Sequence, residues 1–548
     1  MLLALVAVVL SPLPAHAASK HASAKKTGHS ATARSGHAAA AHGKKASTTR
    51  GKSSATAGSR KSSAAYHGKS LKTKGSVPSS AACRKKAKHC RATLSRRADA
   101  APRMVPTPAA EASTADVAES AEGAAIENPE TLAPFFARLA AHDAAPAATV
   151  VRILHYGDSH TAADMFTGEM RARLQQRFGD GGTGFSAAGY PFLGYRIHGT
   201  RRAQSSGWTT GGTHLGEVMR GESDGRFGIA GLSLSTSQPD ESVLLEAPAD
   251  KAELYYLQQP GGGRIELRCA AGRLQEGSSA ASVATLSTDG ELAAKFFALP
   301  PDCASAGVVP PTNAAPQENA ASPEETARPD ATPQANAAAP QSAVQISAVR
   351  HFEARTLDAA PVRLFGFTAE NNAGLTYEAM GINGAEAALM LHWEEKLQSD
   401  ALARRAPALI VLDYGTNEAA NHNWEYGNYK AMLGELLARI HRALPGVPVL
   451  ILGPTDRDLR AGRRRWANFH GTERITQAQR DFCKEQGCAF WDQQAAMGGW
   501  GSMSQWVRGG LAQADHTHLT APGYIRLADA LSAELLRQYE AYRKSSAR

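Results

Sequence analysis

Residues 148–164, ATVVRILHYGDSHTAAD, place a polar turn directly after a run of apolar residues. A near-continuous apolar run is typical of a parallel strand that is buried on both faces of its sheet. The turn contains Asp158, Ser159 and His160, and a helical pattern, MFTGEMRARLQQRFG, begins at residue 165. The stretch therefore predicts a strand, a turn and a helix, with Ser159 at the carboxyl end of the strand.

The same alternation of strand and helix returns in the last third of the chain. Apolar strand patterns occupy 405–416, 446–454 and 488–492, and helical patterns occupy 428–444, 475–487 and 523–542. A further amphipathic helix is predicted at 131–142, before the first strand. Strands that alternate with helices of this length favour a parallel sheet covered by helices on both sides. The expected fold class is a three-layer α/β/α domain.

The pattern changes between residues 206 and 365. Short runs such as KAELYYLQQ, GRIELRC and VRLFGFTAE alternate apolar and polar residues and are separated by Gly, Asp and Pro. This spacing predicts an antiparallel β module inserted into the α/β domain, whose two parts are then 126–205 and 366–543. The Pro- and Ala-rich stretch 305–342 is predicted to be a disordered loop within the module.

The first 125 residues differ from the rest in composition. Residues 1–17, with a short apolar run and Ala15-His16-Ala17, are expected to be a cleaved export signal, with an uncleaved membrane anchor as the alternative. Residues 18–125 are rich in Ala, Ser, Lys and His and are predicted to be disordered. No later stretch has the length and apolarity of a membrane span.

The net charge of +9 belongs to the basic region alone. Residues 18–105 hold 21 of the 60 Lys and Arg but one of the 51 Asp and Glu, which leaves 39 basic and 50 acidic residues elsewhere. We expect the basic region to be a spacer, or to bind an anionic cell envelope. Nucleic acid is not expected as a partner, because the predicted export separates the protein from it and a single tyrosine, Tyr66, accompanies the lysines.

The six cysteines are consistent with export to an oxidising compartment such as the periplasm. They fall into three local pairs, Cys83/Cys90, Cys269/Cys303 and Cys483/Cys488, which are possible disulfides. No cysteine has a histidine at metal-finger spacing, so we expect no zinc site. The sequence gives no basis for an oligomeric state.

Three polar clusters at the ends of predicted strands or before a helix supply the parts of serine-based acyl transfer. Ser159 is the candidate nucleophile, His518 its base and Asp515 the partner that orients His518. The backbone N–H groups of Ser159 and Gly384, with the Asn417 side chain, are candidate donors to an oxyanion. Together these residues predict a serine hydrolase that needs neither a metal ion nor an organic cofactor.

Each candidate also has a structural interpretation. Ser159 can be a helix cap, Asp158 can orient the turn, and Asn417 can be a turn residue. His516 competes with His518 for the role of base, whereas His160 adjoins Ser159 and is poorly placed to act on it. A further alternative is a metal site formed by the side chains of Asp158, His160, Asp164 and His516.

The blocks Gly-Asp-Ser, Gly, Gly-x-Asn and Asp-x-x-His, in this order, resemble the SGNH (GDSL-type) hydrolase superfamily. That resemblance implies a flavodoxin-like fold, a Ser159–His518–Asp515 triad, and an oxyanion hole formed by Ser159, Gly384 and Asn417. Two positions depart from the usual blocks: His160 stands where the superfamily has Leu, and Glu418 where it has Asp.

The longer stretches GDSHTAADMFTGEMRARLQQRFGD, GINGAE, DYGTNEA and DHTHLTAPGY resemble exported bacterial peptidoglycan O-acetylesterases. In that group a carbohydrate-binding-like β module interrupts the hydrolase domain between its first two blocks. The resemblance implies removal of O-acetyl groups from C6 of muramic acid through an acetyl-enzyme, with O-acetylated peptidoglycan strands as partner.

Two other functions fit the same sequence. One is a polysaccharide or peptidoglycan O-acetyltransferase, in which a sugar hydroxyl replaces water in the second half-reaction. The other is a non-enzymatic envelope protein that binds wall glycan. Within the inserted module, Trp208, Tyr255 and Tyr256 are candidate surfaces for stacking on sugars or, equally, core aromatic residues.

Overall fold

The computed structural model describes residues 124–147, 149–212, 224–272, 279–300, 348–463 and 465–546. In chain order the strands are β1 Val150–Gly157, β2 Gly182–Ala187, β3 Arg201–Gln204, β4 Thr209–Gly212, β5 Leu232–Thr236, β6 Ser242–Pro248, β7 Lys251–Gln258, β8 Arg264–Ala271, β9 Ala281–Ser287, β10 Ala293–Ala298, β11 Val349–Thr356, β12 Val362–Glu370, β13 Gly374–Gly381, β14 Leu409–Asp413, β15 Val449–Gly453, β16 Asp458–Arg460, β17 Trp466–Asn468 and β18 Ala489–Asp492. The α-helices are α1 Ala133–Ala144, α2 Ser159–Ala162, α3 Met165–Phe178, α4 Glu395–Arg405, α5 Thr416–Ala420, α6 Tyr426–Ala443, α7 His470–Gln486, α8 Gln493–Ala496, α9 Met503–Arg508 and α10 Ala521–Ser546. Short 3-10 helices span Pro129–Leu132 and Ala387–His392.

The central sheet of the α/β domain is parallel and has five strands, in the order β13–β1–β14–β15–β18. Strands β1, β14 and β15 are apolar and buried on both faces. Helices α4, α6 and α7 pack on one face, through residues such as Leu397, Leu436 and Phe482. Helices α1, α3 and α10 pack on the other face. The predicted three-layer α/β/α fold is confirmed.

The second part is the inserted antiparallel β module, which is also confirmed. One sheet has the order β10–β7–β12–β5–β4, with β2 paired to β12, and the other has the order β3–β6–β11–β8–β9. Apolar side chains of both sheets, among them Leu254, Leu364, Leu245 and Phe352, share one core. The two sheets therefore form a sandwich.

The strands of the sandwich extend past the predicted boundaries 206 and 365. They begin with β2 at Gly182 and end with β12 at Glu370. The sequence of β2, GTGFSA, has few apolar or β-branched residues, and its pairing with β12 is made by the backbone. A strand of this kind leaves little signal in the sequence.

Strand β13 is absent from the sequence-based prediction. Its sequence, GLTYEAMG, alternates polar and apolar residues although every residue in it is buried. Thr376 and Glu378 are both completely buried, and the Thr376 hydroxyl donates to the Glu378 carboxylate (2.8 Å). The polar side chains of this strand are hydrogen-bonded to groups within the fold. The sequence of β13 therefore lacks the continuous apolar run that is typical of a buried parallel strand.

Buried charges connect the parallel sheet to the sandwich. Arg405 on α4 donates to Glu370 on β12 (2.7 Å) and to Glu378 on β13. Glu370 also accepts two bonds from Arg152 on β1, and Glu378 accepts from the Phe185 N–H on β2. The side chains of Arg405, Glu370 and Glu378 are each at most 5% exposed. This ion-pair cluster is therefore shielded from water and joins both parts of the molecule.

The three aromatic residues proposed to stack on sugars belong to the core. Trp208, Tyr255 and Tyr256 are all buried, and the Trp208 indole N–H donates to the Ser242 carbonyl oxygen (3.1 Å). Of the two interpretations, the core one is correct. The alternation of β7 places Tyr255 towards the α/β domain and Tyr256 towards the sandwich core, where each is covered by its neighbours.

Cys483 and Cys488 form a disulfide at the end of α7, and Cys269 is also disulfide-bonded. Its predicted partner Cys303, with Cys83 and Cys90, lies outside the described residues, as do the predicted export signal and the loop 305–342. No helix in the described ranges is both long and apolar enough to span a membrane.

Candidate active site

The predicted site residues lie at the carboxyl edge of three adjacent strands. Gly157, the last residue of β1, is opposite Gly381 of β13 on one side and Asp413 of β14 on the other. Ser159, Gly384 and Asn417 follow these three strand ends within a few residues. Functional groups gather at this edge in open parallel sheets, because the strand ends and the loops that follow them converge there.

The turn that carries Ser159 packs tightly on β13. A Cβ atom added to Gly381 would lie 2.3 Å from the backbone nitrogen of Ala162, the last residue of α2. Only a residue without a side chain permits this approach, because the group it would strike is backbone and cannot rotate away. Glycine at position 381 therefore fixes how close Ser159 lies to the sheet.

Replacing Gly381 by alanine is expected to displace α2 and lower kcat/KM for an acetyl ester at least about tenfold, since misplacement by about 1 Å can cost about 10²-fold. The variant is also expected to lose about 1–3 kcal/mol of unfolding free energy through overpacking. Ester hydrolysis and urea unfolding measure the two effects. Gly427→Ala on α6 is the control, since its Cβ would meet nothing within 4 Å. Full activity in Gly381→Ala would contradict the packing argument.

Ser159, His518 and Asp515 form a continuous chain of hydrogen bonds. The Ser159 Oγ lies 2.8 Å from Nε2 of His518, and Nδ1 of the same ring lies 2.7 Å from Oδ2 of Asp515. Ser159 and His518 are both partly exposed. The structure thus brings together the predicted nucleophile, base and orienting carboxylate, and leaves them accessible from solvent.

Asp515 is held ionised by its own loop. Its Oδ1 accepts the backbone N–H groups of Thr517 and His518, both at 3.0 Å. Partial burial raises the pKa of Asp515, but the His518 ring and these backbone donors lower it further, so that the net pKa is below the ordinary value. A carboxylate that accepts from Nδ1–H leaves Nε2 of His518 unprotonated and able to accept the Ser159 proton.

The two backbone N–H groups predicted to hold an oxyanion, those of Ser159 and Gly384, have no acceptor in the described part of the chain. Gly384 has a φ of +71°, a conformation that favours glycine. The loop that carries Gly384 is tied to β1, because the Ile382 N–H donates to the Gly157 carbonyl oxygen (3.0 Å).

Asn417 has its amide hydrogens on protein oxygens. Its Nδ2 donates to Oδ2 of Asp158 (3.1 Å) and to the carbonyl oxygen of Ala385 (2.9 Å). These bonds bring the three loops together at one point. A side-chain amide has two hydrogens, so Asn417 would exchange one of these bonds for a bond to an oxyanion.

Asp158 and His160, the two neighbours of Ser159, are buried and stabilise the turn that carries it. Asp158 caps α2, since its Oδ1 accepts the His160 N–H (2.9 Å), and burial together with the nearby Asp413 raises its pKa well above the ordinary value. The His160 ring lies against the His518 ring, with centroids 5.3 Å apart, and its Nδ1 is 3.0 Å from the Tyr524 hydroxyl. Burial, aided by His518, lowers the pKa of His160 to about 4. His160 is therefore neutral at physiological pH and packs beside the base.

His516, the alternative base, has another environment. Its Nδ1 lies 2.7 Å from Oδ2 of Asp458, and its ring stacks on Trp466 with centroids 4.0 Å apart. His516 adopts a φ of +57°, which turns the chain so that His518, and not His516, bonds to Ser159. The loop geometry thus distinguishes the two histidines in favour of His518, which the three-residue spacing from Asp515 also favours.

Glu418 lies beneath the Gly384 loop. It is completely buried, and its Oε1 accepts the Ala387 N–H (2.8 Å), whereas its Oε2 has no partner among the described residues. Burial raises the pKa of Glu418 to about 7. The carboxyl that replaces the superfamily's usual Asp is therefore neutral in weakly acidic solution.

Glu418 is expected to make stability fall as the pH rises. Its ordinary pKa is 4.5 and its pKa in the folded protein is about 7, so the folded state binds the extra proton between these values and unfolding becomes easier across that window. Urea unfolding at pH 5 and pH 8 measures this loss, to which Glu418 is expected to contribute about 3 kcal/mol. Glu418→Gln should remove that contribution. An equal pH dependence in both proteins would contradict the prediction.

The four side chains considered for a metal site do not converge. Asp164 bonds to Arg171 (2.6 Å), Asp158 caps α2, and His516 pairs with Asp458. In the described part of the chain, no three His, Cys, Asp or Glu side chains are grouped so as to hold a metal ion.

Two further residues, Arg457 and Tyr524, contact the site and were not predicted from the sequence. Arg457 donates to the Thr416 carbonyl oxygen (2.8 Å), lies over the Phe469 ring (5.3 Å), and is close enough to Asp158 and Asp515 for both to raise its pKa against the effect of burial. Tyr524 lies at the start of α10. The position of Arg457 just after β15 is the one sequence signal that could have pointed to it.

Residues 313–526 match the family model described as GDSL-like lipase/acylhydrolase. The matched range includes Gly384, Asn417, Asp515 and His518, while Ser159 lies upstream of it because the sandwich separates the two parts. No curated protein matches the chain significantly in sequence.

A solved structure of a peptidoglycan O-acetylesterase is similar to this chain, with 24% identity and a TM-score of 0.55. The match covers 74% of this chain and 96% of that one. An acetyl xylan esterase matches at 15% identity and a TM-score of 0.23, over 29% of this chain and 79% of its own. A family two carbohydrate esterase from Cellvibrio japonicus matches at 9% identity and a TM-score of 0.23, over 62% and 98%.

Proposed function

We propose that this chain, whose residues 313–526 match the family model described as GDSL-like lipase/acylhydrolase, is a serine esterase that removes O-acetyl groups from peptidoglycan. The observation that carries the proposal is the hydrogen-bonded chain Ser159–His518–Asp515 at the carboxyl edge of the parallel sheet. The same residues belong to the blocks that resemble bacterial peptidoglycan O-acetylesterases.

In the first half-reaction, Nε2 of His518 takes the proton of the Ser159 hydroxyl as the oxygen attacks the acetyl carbonyl carbon. The carbonyl oxygen becomes an oxyanion, which the Ser159 and Gly384 N–H groups and the Asn417 amide stabilise. His518 then gives its proton to the sugar oxygen, the carbon–oxygen bond of the ester breaks, and the acetyl group remains on Ser159.

In the second half-reaction, His518 takes a proton from a water molecule, whose oxygen attacks the acetyl-enzyme. The second oxyanion collapses, Ser159 leaves with the proton from His518, and acetate is released. Asp515 stabilises the charged imidazole in both halves. This sequence of steps consumes one water and one ester and needs no cofactor.

The substrate class is supported by the architecture of the chain. The alignment with the solved peptidoglycan O-acetylesterase covers 96% of that chain and 74% of this one. We therefore extend the proposal to C6 acetyl groups of muramic acid, to O-acetylated glycan strands as the partner, and to the periplasm as the location that the export signal predicts.

Acetate release from purified O-acetylated peptidoglycan, by wild type and Ser159→Ala side by side, tests the function. Wild type is expected to release acetate and the variant is not. Added acceptor glycan distinguishes transfer from hydrolysis, because an acetyltransferase would acetylate the acceptor and release little acetate. Glycan binding without acetate release by either protein would favour a non-enzymatic binding protein.

A further inference from the structure

An exposed face that combines aromatic and basic residues lies beside the 515–518 loop. It is formed by the β16–β17 hairpin and its surroundings, and we call it the hairpin face; its members are Leu459, Arg460, Arg463, Arg465, Trp466, His470 and Trp500. Trp500 is 38% exposed and Leu459 is 41% exposed. The Trp500 ring stacks on His470, with centroids 4.6 Å apart. The face therefore offers flat apolar rings to solvent.

The hairpin face is continuous with the proposed active site. Asp458 at the start of the hairpin accepts from His516 and donates its own N–H to the His516 carbonyl oxygen (3.1 Å). When the Asn468 amide is oriented so that both of its polar atoms have partners, its Nδ2 donates to Oδ1 of Asp458 (3.2 Å) and its Oδ1 accepts from the Trp500 indole N–H (3.1 Å). These contacts connect Trp500 to the loop that carries His518, two residues beyond His516.

The hairpin is also the most basic part of the described chain near the site. Residues 457–465, RDLRAGRRR, contain five arginines and one aspartate. Among the described residues, no carboxylate pairs with Arg460, Arg463 or Arg465, and all three are exposed. The Arg460 guanidinium donates to the carbonyl oxygens of Gly462 (3.3 Å) and Arg463 (3.0 Å) within the hairpin. Outside the basic region 18–105, acidic residues outnumber basic ones by 50 to 39. A local excess of unpaired arginines in an acidic protein favours binding of an anionic partner.

The sandwich offers no comparable surface from the aromatic residues that its sequence suggested, because Trp208, Tyr255 and Tyr256 are buried. A sugar ring has an apolar face of C–H groups that packs on an exposed indole ring. Peptidoglycan combines such rings with the free carboxylates of its peptide stems. The hairpin face matches both features within one surface.

We propose that the hairpin face binds the stretch of peptidoglycan that flanks the acetylated sugar, with a sugar ring on Trp500 and stem carboxylates on Arg460, Arg463 and Arg465. This inference rests on the proposed esterase function and adds the place where the polymer docks. Binding at the hairpin face keeps the glycan strand beside Ser159 for longer. The hairpin face therefore lowers KM for the polymer.

The test compares two variants, Trp500→Ala and the triple variant Arg460→Gln/Arg463→Gln/Arg465→Gln, on two substrates. For soluble O-acetylated glycan fragments with peptide stems, each variant is expected to raise KM about tenfold, the effect of about 1.4 kcal/mol. For 4-nitrophenyl acetate, which has neither a sugar ring nor a carboxylate, kcat/KM should stay within about twofold. Tyr426→Ala is the control, since Tyr426 is similarly exposed (40%) and bonds to Asp481 on α7.

Ionic strength separates the two components. Raising salt from about 0.05 M to about 0.3 M should raise the wild-type KM for the glycan, because exposed charges are screened. The arginine variant should lose most of this dependence and Trp500→Ala should retain it. Identical salt dependence in wild type and the arginine variant would overturn the role given to the arginines.

A binding assay measures docking of the polymer separately from catalysis. Ser159→Ala protein is expected to pellet with insoluble O-acetylated peptidoglycan, and Ser159→Ala/Trp500→Ala to pellet about tenfold more weakly. If Ser159→Ala and Ser159→Ala/Trp500→Ala pellet equally and KM is unchanged in the variants, the docking proposal is wrong. Acetate release by wild type would in that case still support the esterase function. Failure of wild type to release acetate overturns the esterase, and the pelleting result still decides the docking. A change in sedimentation velocity of free protein in Trp500→Ala would instead identify an interface between copies and overturn the proposal.

Discussion

Replacing Ser159 or His518 by alanine is expected to lower kcat for an acetyl ester about 10⁶-fold, and the double variant is expected to be no slower than either single one. The reason is that the two side chains act as one unit: without the base the hydroxyl is a weak nucleophile, and without the hydroxyl the base has no proton to take. The 2.8 Å contact between Oγ and Nε2 makes this coupling direct. If the fold-loss in kcat of the double variant were the product of the two single fold-losses, the two side chains would act independently and this prediction would be wrong.

Asp515→Asn belongs to the same experiment and is expected to lower kcat about 10⁴-fold, because the amide favours the wrong tautomer of His518. His516→Gln is the matched comparison, since His516 lies in the same loop but pairs with Asp458. Its loss should be at most about 10²-fold, through the position of the loop alone. Steady-state hydrolysis of 4-nitrophenyl acetate measures all of these variants. A loss in His516→Gln equal to that in His518→Ala would make the assignment of the base wrong.

Arg405→Met is expected to lower the unfolding free energy by about 3–5 kcal/mol, the largest effect on stability that we predict. The substitution keeps most of the apolar length of the side chain but leaves Glu370 and Glu378 without their shared buried partner. Glu370 retains Arg152, whereas the donors that Glu378 retains among the described residues are uncharged, namely Thr376 and the Phe185 N–H. Urea unfolding at pH 7 measures the loss.

Arg404→Met is the matched control for Arg405→Met. Arg404 is the preceding residue, and its guanidinium, 47% exposed, pairs with Glu253 at the surface. A surface pair of this kind contributes at most about 1 kcal/mol. The double variant Arg405→Met/Glu378→Gln should regain part of the stability lost in Arg405→Met, since it removes the uncompensated charge. Similar losses for Arg404→Met and Arg405→Met would contradict the role of the buried cluster.

The apolar strands were predictable because their burial depends on local sequence. Strands β1, β14 and β15 lie between two helical layers, so nearly every residue in them is apolar. Strand β13 was not predictable, because Glu378 is buried against Arg405 on α4, 27 residues away in sequence. Strand β2 was missed for a related reason, since its glycines pair with β12 through backbone groups that carry no side-chain pattern.

The sequence by itself determined the three-layer class, the presence of an inserted β module and the set of candidate site residues, because periodicity and the order of polar blocks are local properties of the chain. The spacing from Asp515 already favoured His518 as the base, whereas only the tertiary structure decided that His516 bonds to Asp458, which lies 58 residues away in sequence. It also decided that Trp208, Tyr255 and Tyr256 are core residues and that Trp500 is exposed, since exposure is set by what packs on a side chain from elsewhere in the fold.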